Sequence, residues 1–101
     1  MNSPMLSLLG FASKARRLSY GTHATMYAID SGKAKLVCAA CDISAKSVKE
    51  LRFSADKKNI PVIVLEGIDI EMLSKAVGKN CGILAVKDDG FADALLEKQG
   101  K

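Results

Sequence analysis

The chain has 101 residues, of which 15 are basic, 11 are acidic, three are Cys and one is His. This length predicts one domain, 1–101, and a composition of 49% hydrophobic and 26% charged residues argues against disorder. The longest apolar runs are six residues, too short for a membrane span, and the N-terminus lacks the basic segment of a signal peptide. With three thiols and no export signal we expect a cytoplasmic protein with reduced cysteines, and we also expect a monomer.

The first third of the chain predicts a helix, a short strand and a second helix. Ser3-Pro4 is typical of a helix start, and apolar residues then recur at helical spacing to about residue 15. Leu18–Tyr20 is a short extended segment. The second helix covers residues 21–31, and Gly32 fits the position just beyond its end.

The rest of the chain alternates between strands and helices. Leu36–Cys41 and Ile60–Leu65 are apolar runs of strand length, and the first has the continuous pattern of a strand buried on both faces. Ile83–Val86 is the last predicted strand. Helices are predicted from Asp42 to Asn59, from Asp69 to Gly78, and from Asp88 onward. This alternation predicts an α/β fold with helices on both faces of a small mixed sheet.

The formal net charge of +4 is unevenly distributed along the chain. Residues 1–60 contain ten basic and four acidic side chains, whereas residues 61–101 contain five and seven. A basic half favours a polyanionic partner, with nucleic acid as the first candidate, although such charges also occur as plain solvated surface.

The cysteines are the first candidates for chemistry. Cys38 and Cys41 have the spacing of a redox pair, but both fall within a predicted strand, where their odd spacing directs them to opposite faces. We interpret them as two small buried side chains, and a thiol-redox enzyme remains the alternative that thiol reactivity would decide. With three cysteines, zinc would need a fourth ligand near Cys81, and His23 is the single imidazole of the sequence, so we expect no metal and no cofactor.

No other group of residues predicts catalysis. No serine has a nucleophile motif around it, and Asp88-Asp89 is typical of a helix cap followed by a first-turn charge. The segment Gly78–Gly82 partly resembles a phosphate-binding loop, but it leads into a strand and lacks the Gly-Lys-Ser/Thr ending. We therefore predict a protein without enzymatic activity.

A basic segment before the second helix is the best candidate for binding. Lys14, Arg16 and Arg17 precede a helix whose first turn is Gly21-Thr22-His23. A helix that opens on glycine offers free backbone amides and a positive dipole end to a phosphate. An ordinary capped helix with basic flanks would show the same pattern.

Helical spacing divides this second helix into two faces. His23, Ala24 and Tyr27 share one face, whereas Thr25, Ala28 and Ile29 share another. If the second face packs on the sheet, Tyr27 is left exposed and can stack on a base. The alternative is that Tyr27 covers a neighbouring loop.

A series of short motifs extends over nearly the whole chain and resembles one family. The motifs are Gly10–Leu18, Gly21, Ser31–Val37, Asp42–Ser44, Ile60–Val62, Leu73–Lys79, Leu84–Val86 and Asp89–Ala92. Together they resemble the kink-turn-binding ribosomal protein superfamily of the L7Ae and L30e type, and its bacterial YlxQ-like branch in particular.

The resemblance implies a three-layer α/β/α sandwich around a four-stranded mixed sheet. It also implies non-catalytic binding of structured RNA, ribosomal or other non-coding, and an association with ribosome or ribonucleoprotein components. In the family, RNA binds the glycine-opened second helix and the loop before the last strand. The resemblance therefore implies RNA contacts at Gly21 through Tyr27 and at the loop Lys79-Asn80-Cys81-Gly82, with Asp42–Ser44 flanking the same surface.

This sequence departs from the family pattern at the second helix. The kink-turn binders carry Gly-x-Asn-Glu-x-x-Lys, and the Asn, Glu and Lys positions hold His23, Ala24 and Tyr27 here. Ala24 has no polar group for a base edge, whereas His23 can donate and accept. We therefore expect RNA binding without assuming kink-turn specificity. The alternative hypothesis is a protein-interaction module that keeps the fold, because Ala24 and Tyr27 also suit a protein interface.

Overall fold

The computed structural model describes residues 3–99, which form five helices and four strands. The helices are α1 (Pro4–Lys14), α2 (Gly21–Asp30), α3 (Ala45–Asp56), α4 (Ile70–Val77) and α5 (Asp89–Gln99). The strands are β1 (Leu18–Tyr20), β2 (Leu36–Ala40), β3 (Val62–Leu65) and β4 (Ile83–Val86). Within these residues no helix has the length and apolar character needed to cross a membrane.

The four strands form one mixed sheet in the order β1-β4-β2-β3. Strand β4 is antiparallel to both of its neighbours, β1 and β2, whereas β3 is parallel to β2. The central strands are buried on both faces: every residue of β2 and β4 is buried. This confirms the mixed sheet predicted from the alternation of elements.

Helices cover both faces of the sheet. Alternate residues of β2, such as Leu36 and Cys38, lie in a core with α1, α4 and α5, whereas Val37 and Ala39 lie in a second core with α2 and α3. The alternation follows from the pleat, which points successive side chains to opposite faces. The result is the three-layer α/β/α sandwich that the family resemblance implies.

The helix starts follow the local sequence signals. The Ser3 hydroxyl caps α1 and Pro4 occupies its first turn, while the Asp69 carboxylate accepts a 2.8 Å hydrogen bond from the backbone of Met72 at the start of α4. At the start of α5, Asp88 accepts from the backbone N–H of Phe91 at 2.9 Å. Asp88 is therefore a cap, as predicted.

Two strand boundaries differ from the predicted ones. Strand β2 ends at Ala40, because the Cys41 N–H leaves the sheet and donates to the Ile68 carbonyl at 2.8 Å. Strand β3 begins at Val62, after Pro61, which has no N–H to contribute to a ladder.

The interpretation of Cys38 and Cys41 as two buried side chains is wrong for one of them. Cys38 is fully buried in β2, whereas Cys41 lies in the following turn and is exposed. Burial raises the pKa of the Cys38 thiol to about 12. A thiol in that environment stays protonated at neutral pH, which argues against a redox role for it.

The strand directions divide the connecting loops between two ends of the sheet. Strands β1, β2 and β3 finish at the end where β4 begins, as the pairs Tyr20–Leu84 and Ala39–Ile83 show. We call this end the upper edge. At the lower edge β1 and β2 begin and β4 finishes, and Leu18 and Leu36 both pair with Val86.

Candidate nucleic-acid interface

Helix α2 begins at the upper edge directly after β1, with no intervening loop. The sharp change of direction gives Gly21 a φ of +90°, in a region that residues with a Cβ rarely adopt. An added Cβ at this position would have no other heavy atom within 4 Å. Glycine is therefore required here by the backbone conformation and not by lack of space.

The first turn of α2 has no side-chain cap. Tyr20 occupies the cap position in an extended conformation and makes no capping hydrogen bond. Its hydroxyl instead lies 2.6 Å from the Ser13 hydroxyl at the end of α1. The first amides of α2 consequently lack a side-chain acceptor, beside the exposed side chains of Thr22 and His23. Uncapped amides at the positive end of a helix dipole suit an anionic oxygen.

The two faces of α2 are those predicted from helical spacing. Thr25, Ala28 and Ile29 are buried against the sheet, whereas the Tyr27 side chain is 69% exposed. His23, one turn before Tyr27, is exposed as well. A tyrosine with this exposure on a helix surface is available for stacking.

The loop between α4 and β4, residues 78–82, lies at the same edge. The Ser74 side chain anchors this loop to α4. Its hydroxyl accepts a hydrogen bond from the Cys81 N–H at 3.0 Å and donates one to the Cys81 carbonyl at 3.1 Å. Lys79 and Asn80 are exposed, and the Lys79 ammonium lies 5.9 Å from the centre of the Tyr20 ring. This contact places the Lys79 ammonium beside the Tyr20 ring, on the face of the sheet that α1, α4 and α5 cover.

A close approach at Gly82 positions this loop against its neighbours. A Cβ on Gly82 would come within 2.6 Å of Ile43 and 2.8 Å of Ile70. The segment that contains Ile43 is tied to α4 as well, since the Asp42 carboxylate accepts from the Ile70 N–H at 3.0 Å. The loop 41–44 therefore lies alongside residues 78–82, as the family resemblance implied.

The structure thus brings most of the candidate residues together. Gly21, Thr22, His23, Lys79 and Asn80 meet at the upper edge, and Tyr27 follows along the outer face of α2. We call these six residues the upper-edge surface. It combines uncapped amides, a cation, hydrogen-bonding side chains and an exposed aromatic ring, which are the groups that bind phosphates and bases.

The three basic residues of the first segment are not part of this surface, and the prediction that they flank Gly21 is wrong. Arg16 and Arg17 lie before β1, at the lower edge, and the three residues of β1 place about 10 Å between them and Gly21. Lys14 lines a groove between α1 and α4 together with Phe11.

The lower edge also holds cations that sequence reasoning did not single out. Lys33, Lys35 and Lys87 line one cleft with Arg16 and Arg17. Each of these residues stands close to an end of β1, β2 or β4. The strand order was the missing information, because residues 17, 35 and 87 become neighbours only once β4 pairs with both β1 and β2.

Cysteine, histidine and carboxylate side chains do not form a metal-binding group in the part of the chain that the structure describes. Cys81 is buried behind the upper edge, and burial raises the pKa of its thiol. His23 lies on the exposed face of α2. The candidate zinc ligands therefore remain separate.

A family comparison matches most of the chain. Residues 4–96 match the model of the ribosomal protein L7Ae/L30e/S12e/Gadd45 family. RNA-binding protein YlxQ of Bacillus subtilis (strain 168) is 30% identical over 90 residues, which are 88% of each chain. Large ribosomal subunit protein eL30 of Neurospora crassa is 30% identical over 93 residues, 90% of this chain and 84% of that one.

Solved structures give the same picture of the fold. A protein of unknown function from Bacillus halodurans superposes with a TM-score of 0.92 at 32% identity, over 99% of this chain and all of that one. The 15.5kD RNA binding protein of Giardia lamblia superposes with a TM-score of 0.77 at 18% identity, over 99% of this chain and 88% of that one. Because it is only 18% identical, the Giardia lamblia structure supports the fold alone.

Proposed function

The chain belongs to the ribosomal protein L7Ae/L30e/S12e/Gadd45 family, and on this premise we propose that it is a non-catalytic protein of the cytoplasm that binds structured RNA as a single-domain monomer. The observation that carries the proposal is the family match over residues 4–96, together with relatives named as RNA-binding and ribosomal proteins. An association with ribosomal or other ribonucleoprotein components follows from the same names.

The upper-edge surface supports this function physically. The amides of the first turn of α2 have no side-chain cap and can donate to phosphate or base oxygens. Lys79 adds an exposed positive charge at the same edge of the sheet. Amides and an ammonium along one edge can contact different phosphates of one RNA.

The side chains on the outer face of α2 influence which RNA the protein recognises. Ala24 offers no hydrogen bond to a base edge, and the exposed ring of Tyr27 stands where kink-turn binders carry a lysine. Stacking tolerates many bases, whereas polar contacts select among them. We propose that the protein recognises RNA through its backbone and through a stacked base, with a specificity different from that of the Gly-x-Asn-Glu-x-x-Lys proteins.

Crosslinking in the protein's own cells tests the proposal. Ultraviolet crosslinking, capture of the tagged protein and sequencing of the bound fragments should enrich one class of structured RNA over an uncrosslinked control. Fragments from ribosomal RNA would support the ribosomal association. No enrichment over the control would contradict RNA binding in the cell.

The same capture separates RNA binding from the alternative function, a protein-interaction module on this fold. Partner proteins that are bound through RNA should disappear from the captured sample after ribonuclease treatment. Partners that remain after ribonuclease, in a sample without crosslinked RNA, would support the alternative and contradict our proposal.

A further inference from the structure

A cluster of cations lies at the lower edge, far from the upper-edge surface. Arg16, Arg17, Lys33, Lys35 and Lys87 line one open cleft of about 420 Å³, in which Gly32 is the remaining wall residue. We call this the lower-edge cleft. Its lining has no large apolar side chain, so it does not suit an apolar ligand.

The backbone brings three loops together to form this cleft. The Lys87 N–H donates to the Arg17 carbonyl at 2.8 Å, and the Lys35 N–H donates to the Val86 carbonyl at 2.7 Å. The first bond continues the β1–β4 ladder by one step, and the second ties the loop before β2 to the last residue of β4. The loops before β1, before β2 and after β4 are therefore held side by side, and so are the cations that they carry.

Two turns close tightly to complete this arrangement. Arg16 has a φ of +61° and Gly32 has a φ of +76°, both in the left-handed region. A non-glycine residue in this conformation is strained and persists where the surrounding structure requires it. The position of Arg16 is therefore determined by the fold.

These five cations form no ion pairs within the described part of the chain. No carboxylate of residues 3–99 lies within 4.0 Å of any of the five cations, and the ion pair present there joins Lys75 to Glu71. Asp89 lines an adjacent cleft with Lys35 but forms no ion pair with it. Five unpaired cations around one open cleft repel one another and attract a polyanion.

We propose that the lower-edge cleft binds the phosphate backbone of a second segment of the same RNA. The inference rests on the proposed function and extends it: the protein contacts its RNA at both ends of the sheet. The chemistry at the two ends differs. The upper-edge surface offers amides, polar side chains and an aromatic ring, whereas the lower-edge cleft offers charge alone and is expected to contact phosphates without reading sequence.

A charge-removal pair with a matched control tests this inference. The test variant is Arg17→Gln with Lys87→Gln, and the control is Lys75→Gln with Lys98→Gln, which removes the same charge from α4 and α5. The probes are a kink-turn stem-loop and unfractionated transfer RNA. Far-UV circular dichroism and thermal unfolding check that both variants keep the fold: Arg17, Lys75 and Lys98 are exposed, Lys87 is half-buried, and loss of the exposed Lys75–Glu71 pair should cost little stability.

The readout is the slope of log affinity against log salt concentration. Each cation that contacts a phosphate contributes about one unit to this slope, so the test variant should lose about two units on the RNA that binds the wild type. The control should keep the wild-type slope. An unchanged slope in the test variant, with the wild type bound, would overturn the inference and leave the proposed function standing.

Failure of the proposed function looks different, because the wild type would then bind neither RNA at low salt. Ribonuclease footprinting provides a second readout. The wild type should protect two separate RNA segments, and the variant Arg17→Gln with Lys87→Gln should lose one of them. A single protected segment in the wild type would contradict a second contact.

Discussion

The hydroxyl of Tyr20 lies 2.6 Å from the hydroxyl of Ser13, which in turn donates to the carbonyl oxygen of Val77 at 2.6 Å. This chain of hydrogen bonds ties β1 and α4 to the end of α1. Tyr20 also occupies the cap position of α2, and because it lacks the short side-chain oxygen of a capping residue, α2 begins without a side-chain cap.

Removing the Ser13 hydroxyl should destabilise the fold. Ser13→Ala leaves the Tyr20 hydroxyl and the Val77 carbonyl without this partner in a half-buried position, which costs about 1–3 kcal/mol. Chemical denaturation measures the loss in the free energy of unfolding. Ser7→Ala, at an exposed position of α1, is the control and should change it little. Equal stability of the two variants would show that the contact contributes nothing.

Gly21→Ala should affect both stability and RNA binding. A Cβ at a φ of +90° is expected to cost about 1–2 kcal/mol. It would also shift the start of α2 and the amides that we assign to the RNA. Gly67→Ala is the matched control, because Gly67 has a φ of +74° and follows β3 at the far side of the sheet from β1.

We expect the two glycine variants to lose similar stability in denaturation experiments. Only Gly21→Ala should lose RNA affinity when binding is measured by fluorescence anisotropy below the unfolding transition. If both variants bound RNA as well as the wild type, the start of α2 would lie outside the interface.

Tyr27→Ala should weaken RNA binding without changing stability. Loss of one stacked base costs about 1–3 kcal/mol, which corresponds to a fall in affinity of roughly 5- to 150-fold. Tyr27→Phe keeps the ring and should retain most of the affinity. Phe11→Ala removes another exposed aromatic, on α1, and serves as the control. Equal affinity of Tyr27→Ala and the wild type would rule out stacking by this ring.

The three thiols should differ in reactivity. Cys41 is exposed, whereas Cys38 and Cys81 are buried and burial raises the pKa of both. A thiol reagent at neutral pH should therefore modify one cysteine quickly and the other two only on unfolding. Mass spectrometry of the labelled peptides identifies the modified residue. Rapid modification of Cys38 in the folded protein would contradict its position in β2.

Alkaline pH should destabilise the protein through Cys38. Burial raises the pKa of its thiol from 9.0 to about 12, so the folded state keeps a proton that the unfolded state releases. Stability from this group is therefore complete below pH 9 and falls as pH rises toward 12, by about 1.4 kcal/mol per pH unit. Denaturation of the wild type and of Cys38→Ala between pH 8 and about pH 10.5 measures the difference. If the free energy of unfolding fell in parallel with pH in the two proteins, ionisation of Cys38 would not be the cause of the loss.

Local patterns in the sequence predicted the elements and their faces well. The helical spacing in α2 separated the buried Thr25, Ala28 and Ile29 from the exposed Tyr27, because a helix that packs on a sheet buries one stripe. Cap residues such as Asp69 and Asp88 marked helix starts correctly, since their carboxylates satisfy amides within a few residues of themselves.

Long-range neighbours were not predictable from the same patterns. Arg17 and Gly21 are close in sequence, yet the intervening strand carries them to opposite ends of the sheet. Lys79 and Tyr20 are far apart in sequence and meet at the upper edge. Both outcomes depend on the strand order and on the antiparallel direction of β4, which local composition does not encode. Cys41 was misplaced because a backbone bond to Ile68 ends β2 one residue early.

Equilibrium binding of the wild-type protein to structured RNA as a function of salt tests the central claim most directly. Fluorescence anisotropy with labelled kink-turn, ribosomal and transfer RNA fragments gives the affinity at each salt concentration. We expect binding to at least one of them at low salt, with log affinity falling linearly and steeply as log salt rises. Absence of binding to all three at low salt, by a protein shown to be folded, would contradict it.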